Sequence, residues 1–290
     1  MEIIKGKGLG KIESAHYHLL KFDSLSAIID RAEKQTDTDS KSHRFDPDYN
    51  ATKTFDDAIG LARHGWHDAR ERVDGHLEPL REALGTLLDT TTERAHDIIG
   101  YEPDIDRYLA GEMECMYEDF FVEAPKEGKV FRLLVDVSMT FDNHPDDILK
   151  RGAVLCALVE AYNLLGLQLE VWCEGTWKGY DSNIGYASIL TKINSAGDPI
   201  DIDAMMFALG HPDYNRRLQW AVGELDSVFA QKFGYNINGY YGLCRNGSHF
   251  MEYVGASSVV SLDGNRDMTR DPLKWITGQL EAQGVWEAPE

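Results

Sequence analysis

The chain holds little of what a disulfide framework, a zinc ribbon or a membrane span requires. Its four cysteines, Cys115, Cys156, Cys173 and Cys244, are widely spaced and form no Cys-x-x-Cys pair, so they read as reduced thiols. No apolar run approaches the roughly 18–20 residues that cross a bilayer. The opening MEIIKGKGLGKIESAHYHLL lacks the apolar core and cleavage site of a signal peptide. The expected setting is a cytoplasm, without membrane contact. Positive charge is scarce as well: 29 lysines and arginines face 49 acids, a net charge of −20, and residues 1–125 alone carry 27 acids to 15 bases. A surface of that sign repels a phosphate backbone, so direct nucleic-acid binding is not expected.

Catalytic signatures are missing too. GKGLGK at 6–11 shares glycine and lysine with a phosphate-binding loop but has neither its spacing nor a preceding strand. No serine sits in a Gly-x-Ser-x-Gly elbow, and no cysteine–histidine pair has a diagnostic context. The densest acidic segment, YEPDIDRYLAGEMECMYEDFFVE at 101–123, sets eight acids against one arginine. Its apolar residues separate it from a disordered acidic tail.

What is present is an ordinary globular pattern, 43% hydrophobic and 27% charged over 290 residues, enough for one large core or two smaller ones. Residues 1–125 read as a mainly helical N-terminal region. A short helix is expected at 24–34, then a long polar surface loop at 35–53 without periodicity. A helix follows from Thr54, whose hydroxyl and Asp57 make a near capping box, and ends near His64-Gly65-Trp66. Val73, Leu77, Leu80, Leu84, Leu87 and Leu88 make an apolar stripe that predicts one or two helices over 68–99, with another at 104–110.

EAPKEGK at 123–129 marks the change to an α/β domain over 126–290. VFRLLVDV at 130–137 reads as a buried strand, residues 146–166 as a helix apolar nearly all round, and LQLEVWCEG at 167–175 as a second strand. Strand, crossover helix and strand make a βαβ unit with parallel neighbours. Further strands are expected at 187–194 and 257–262, with helices at 215–234 and 272–283.

The first strand of that unit ends in Asp136, Ser138 and Thr140, and two readings of this turn stand side by side. Asp142, Asn143 and Asp146 around Pro145 are good turn and N-cap residues for the helix that follows. The same oxygens suit a hard divalent cation. Asp-x-Ser-x-Thr resembles the Asp-x-Ser-x-Ser start of the von Willebrand factor A domain, whose adhesion site holds Mg²⁺. The resemblance implies a mainly parallel, Rossmann-like sheet, with Thr176 and Asp198, or Asp201 in place of Asp198, completing a metal site with Asp136, Ser138 and Thr140. It equally allows a degenerate site without metal.

A broader likeness covers most of the chain beyond residue 50. TFDDAIGLARHGWHDARE (54–71), DIDRYLAGEMECM (104–116), ILKRGAVLCALVEAYNLLGLQLEVW (148–172) and PIDIDAMMFALGHPDYNRRLQWAVGE (199–224) resemble an uncharacterised family of tailed-bacteriophage proteins. The likeness implies a phage origin and an infected bacterial cytoplasm, and transfers no catalytic residue.

Other residues carry weaker signals. His64 and His67 could share a metal on a helical face, or flank a glycine-ended helix with Trp66 packed inward. Arg216 and Arg217 suit phosphate, or internal ion pairs with the acidic 101–123 segment. Asp142, Tyr240 and Tyr241 are candidate partner-contact residues, the tyrosines because aromatic rings supply contact area at low entropic cost. The expectation is therefore a non-enzymatic phage protein that binds a phage or host protein, with self-association left open. The alternatives are a divalent-metal-dependent phosphate-ester hydrolase and an acidic mimic of nucleic acid.

Overall fold

The N-terminal segment pairs into the main sheet instead of standing apart from it. In the computed structural model, which describes residues 1–7, 9–10, 15–71, 73–75, 92–100, 102–121, 130–139, 143–178, 185–232, 243–244, 249–263 and 266–285, β1 (Glu2–Lys7) lies antiparallel to β2 (His16–Phe22). Strand β2 in turn pairs in parallel with β8 (Tyr186–Asn194). Tyr17, Leu19, Leu20 and Phe22 are all buried, because a strand with neighbours on both edges and cover on both faces hides residues of either parity. A seven-residue strand buried on both faces shows no alternation, which is why the N-terminal region read as mainly helical.

Two compact units result, residues 1–77 with 130–290, and residues 78–129. The edge of the smaller unit lies close to the expected boundary at 126, while β1, β2, α1 (Leu25–Ala32) and α2 (Phe55–His64) belong to the larger one. Both helices start as their residues dictate. Ser24 accepts from the Ala27 amide at 3.1 Å, and Thr54 and Asp57 form the full reciprocal capping box.

In the smaller unit, β3 (Thr92–Asp97), β4 (Glu102–Pro103) and β5 (Met116–Phe121) form an antiparallel sheet in the order β3–β5–β4, with α3 (Ile105–Ala110) between β4 and β5. The helix expected to run to residue 99 is corrected here: 92–97 is a strand, held by six residue pairs across β5. The apolar stripe behind that expectation ends at Leu88, and residues 76–91 lie outside the described part.

The larger unit is mixed α/β. Its sheet runs β1–β2–β8–β7–β6–β10, where β6 is Val130–Asp136, β7 is Gln168–Lys178 and β10 is Ser258–Ser261. The short β9 (Leu243–Cys244) pairs with the far end of β7. Strands β10, β6 and β7 are mutually parallel, whereas β7 and β8 are an antiparallel pair. The crossover from β6 to β7 is α4 (Pro145–Leu164). Fourteen of its twenty residues are buried, as the apolar composition all round requires. One face of α4 meets the π-helical turn Met206–Gly210 so closely that a Cβ on Gly152 would fall on the Gly210 backbone.

The stretch expected as one helix at 215–234 is three: a π-helical turn at Tyr214–Gln219, α6 (Trp220–Glu224) and α7 (Ser227–Lys232). Between them and β8 lies α5 (Ile202–Met205). The chain closes with α8 (Met251–Val254), α9 (Asp267–Arg270) and α10 (Pro272–Ala282).

Candidate functional site

Strand β6 is where the order of the parallel strands reverses. The chain crosses from it to β7 on one side, and β10 arrives on the other. In open α/β sheets the carboxyl end of the strand at such a switch point is the usual place for a ligand. Asp136 ends β6 there, level with Glu174 of β7 and Ser261 of β10. The three residues therefore form a row across the carboxyl edge.

The row is closed by protein on every described side. Asp136 and Glu174 are both 0% exposed. The Ser138 amide donates to Asp136 Oδ1 at 2.9 Å, and Ser261 Oγ donates weakly to Oδ2 at 3.4 Å. Ser138 Oγ accepts from the Thr176 amide at 2.8 Å. Thr176 Oγ1 donates to Glu174 Oε1 at 2.7 Å and lies 2.9 Å from Ser188 Oγ on β8. The His249 and Phe250 amides donate to the two oxygens of Glu174 at 2.8 and 3.2 Å, capping the carboxylate from above. Tyr17, whose hydroxyl meets His249 Nδ1 at 2.9 Å, and the stacked Tyr186 pack beside them.

Such an arrangement has a definite electrostatic consequence. Burial, and then the neighbouring Asp136 charge, push the Glu174 carboxyl up to about 7, against the pull of its hydrogen bonds toward the anion. Two buried carboxylates side by side hold charge at a cost, so Glu174 holds its proton to higher pH than an exposed glutamate does.

Of the five residues expected to hold a metal, three meet here: Asp136, Ser138 and Thr176. Thr140 lies outside the described residues, as do the partner-contact candidates Asp142, Tyr240 and Tyr241. Asp198 is brought elsewhere. Strand β8 runs antiparallel to β7 with Asn194 opposite Val171, so the turn holding Asp198 lies beyond the end of β8 that faces away from Thr176. Asp201, the other candidate, caps α5 by accepting from the Ala204 amide at 3.0 Å. A hard cation needs oxygens converging on one point. Here the oxygens of Asp136, Ser138 and Thr176 are turned toward the Ser138 and Thr176 amides and toward Ser261, Glu174 and Ser188, and do not converge. Among the described residues no group of three or more His, Cys, Asp or Glu could share an ion. Among the described residues, those the motif names do not fit Mg²⁺ as the motif suggests it. Glu174, Ser188, Ser261 and His249 were not foreseen; their positions follow from cross-strand register, and only the buried acid inside LQLEVWCEG hinted at one of them.

The capping reading of the same turn also changes. His144, not Asp142 or Asn143, caps α4, accepting from the Asp146 amide at 3.3 Å. Asn143 instead accepts from Arg151 at 2.7 Å and donates to Asp263 at 2.6 Å.

A second polar centre fastens the loop expected to be a free surface segment. Arg216 and Arg217, 1% and 0% exposed, donate to the carbonyls of Tyr49, Asn143, Ser42 and Thr52 at 2.7 to 3.1 Å. Asp213, also 0% exposed, accepts from Asn50 Nδ2 and from the amide and hydroxyl of Thr52. Glu224 accepts from Gln35, from the Lys41 amide and from Ser42. The two arginines are thus structural fasteners for 35–53. His211 beside them is driven down to about 4, chiefly by burial, and stays neutral. His67 is paired with Asp203 at 2.6 Å, and Trp66 stacks edge-on to His211.

Compared with known families, residues 9–284 match the model of a family described as a domain of unknown function, DUF7192. The chain belongs to that family. No curated protein and no solved structure matches it. Among the described residues no helix is long and apolar enough to cross a membrane.

Proposed function

We propose that this member of the family acts by protein–protein interaction and not by turnover, through a von Willebrand factor A-like domain whose acidic centre serves as a structural keystone. One observation carries the reading. Asp136 and Glu174 stand where a ligand site belongs in such a sheet, yet both are fully buried and engaged by protein donors. Chemistry on a substrate requires reacting groups within hydrogen-bond reach of it, and these carboxylates are spent on holding β6, β7, β10 and the 249–250 segment together. The rim around that centre is left to bind a partner. The resemblance of the sequence to tailed-phage proteins supports a partner among the phage or host proteins of an infected bacterial cytoplasm.

The test combines two measurements on the full chain. Tagged protein recovered from infected bacteria is expected to bring down one stoichiometric partner. The purified chain is expected to hydrolyse no p-nitrophenyl phosphate with Mg²⁺ or Mn²⁺. Metal-dependent turnover that Asp136→Ala abolishes would replace this reading with the metal-dependent hydrolase.

A further inference from the structure

The smaller unit carries an exposed apolar stripe. Helix α3 has no buried residue, although it contains Ile105, Tyr108 and Leu109, which are 59%, 65% and 76% exposed. Spacings of three and four residues put these on one face of the helix. Met113, just after the helix, is 80% exposed. In the connection from β3 to β4, Ile98 and Ile99 are also exposed.

The helix is nonetheless firmly placed. Its N-cap, Asp104, accepts from the amides of Asp106 and Arg107, and it is bonded by His96 at 2.9 Å and Tyr117 at 2.9 Å. These contacts hold the Asp104 carboxyl at about 2, well below the ordinary carboxylate range. Gly111, at φ 75°, ends the helix in the left-handed conformation that glycine adopts without strain. A pinned helix that shows several large apolar groups to water is a docking element more than a loose end.

Charge decides what covers it. Residues 98–116 hold five acids, Glu102, Asp104, Asp106, Glu112 and Glu114, and one base, Arg107. That base is already committed to Glu112 at 3.4 Å and to the Glu114 carbonyl. A second copy of the chain would set acid against acid, and the whole chain carries −20. Nucleic acid and anionic membranes are repelled for the same reason.

We infer that the α3 face of the smaller unit docks a basic amphipathic segment of a partner protein, with apolar anchors on the Ile105–Tyr108–Leu109 stripe and Lys or Arg side chains on the surrounding acids. The inference shares with the proposed function only the premise of protein binding. It concerns a different surface.

The test titrates the full chain with a synthetic helical peptide of leucines and lysines in amphipathic repeat, followed by calorimetry. Saturable binding is expected, weakened at least about tenfold by Tyr108→Ser with Leu109→Ser, because two anchors lose their burial. Glu102→Gln with Glu114→Gln is expected to weaken binding and to flatten its dependence on salt. A matching leucine–glutamate peptide is expected not to bind. Unchanged affinity in the serine variant, equal binding of both peptides, or a wild-type dimer that Leu109→Ser makes monomeric would each overturn the inference. All four substituted residues belong to the smaller unit and none to β6 or its neighbouring strands, so the peptide titration and the recovery of a partner from infected bacteria are separate readouts.

Discussion

The two units solve opposite problems. In the larger one charged and polar groups are inside: Asp136, Glu174, Asp213, Arg216 and Arg217 are all essentially without exposure. In the smaller one apolar groups are outside, on a helix that buries nothing of its own. Buried charge is tolerated only when its hydrogen bonds are met, and exposed apolar area persists only where a partner or a loss of stability accounts for it. The contrast separates charge that is buried and hydrogen-bonded in the first unit from apolar surface that meets water in the second.

Substitutions that break this contrast should rank accordingly. The largest effect belongs to Asp213→Ala, which strands Asn50, Thr52 and the Arg217 guanidinium in the interior. A loss of about 3–5 kcal/mol in denaturant unfolding is expected, and a loss under about 1 kcal/mol would mean that the 35–53 loop is not fastened there. Next comes Gly152→Ala, whose methyl would land on the Gly210 backbone. Overpacking of that kind costs about 1–3 kcal/mol, read as a lowered midpoint.

Glu174→Gln should have an effect whose sign depends on pH. The wild-type carboxyl is raised in the folded protein, so its contribution to stability is whole below the unfolded value near 4.5 and fades as pH climbs through about 7. His211, lowered to about 4, behaves the other way: its contribution is whole above the unfolded value near 6.5 and fades as pH falls toward 4. In the wild type the two oppose one another over much of the same range. The variant removes only the first, so relative to wild type it should gain stability as pH rises from about 4.5 to about 7. Parallel pH profiles for the two proteins would show that Glu174 is not the perturbed group.

The smallest effect is expected in the smaller unit. Leu109→Ser should move the unfolding free energy by no more than about 0.5 kcal/mol, since the side chain touches water already. A large destabilisation would show that the residue is packed in solution and would dissolve the contrast.

Elements with local signals were legible in the sequence. The Thr54–Asp57 capping box, the βαβ run of β6, α4 and β7, the strand at 258–261 and the Pro272 helix all follow from periodicity, propensity or capping, which act within a few residues. The site was legible in part, because Asp136, Ser138 and Thr176 each end or follow a readable strand. Asp198 was assigned wrongly to that edge, since the direction of β8 depends on a hairpin and not on its own residues. The residues that close the site, Glu174, Ser261 and His249, come from strands and segments up to 125 positions apart in pairing.

What the amino-acid order determined alone is the kind of protein: acidic, layered α/β, with an oxygen-rich turn after its central strand. Only the tertiary arrangement decided that Asp136 and Glu174 are buried, that two arginines hold down a polar loop, and that α3 faces water with its apolar side. Hydrophobic spacing acts locally along the chain, whereas desolvation and charge pairing depend on which distant segments meet, and those meetings are set by strand register and direction.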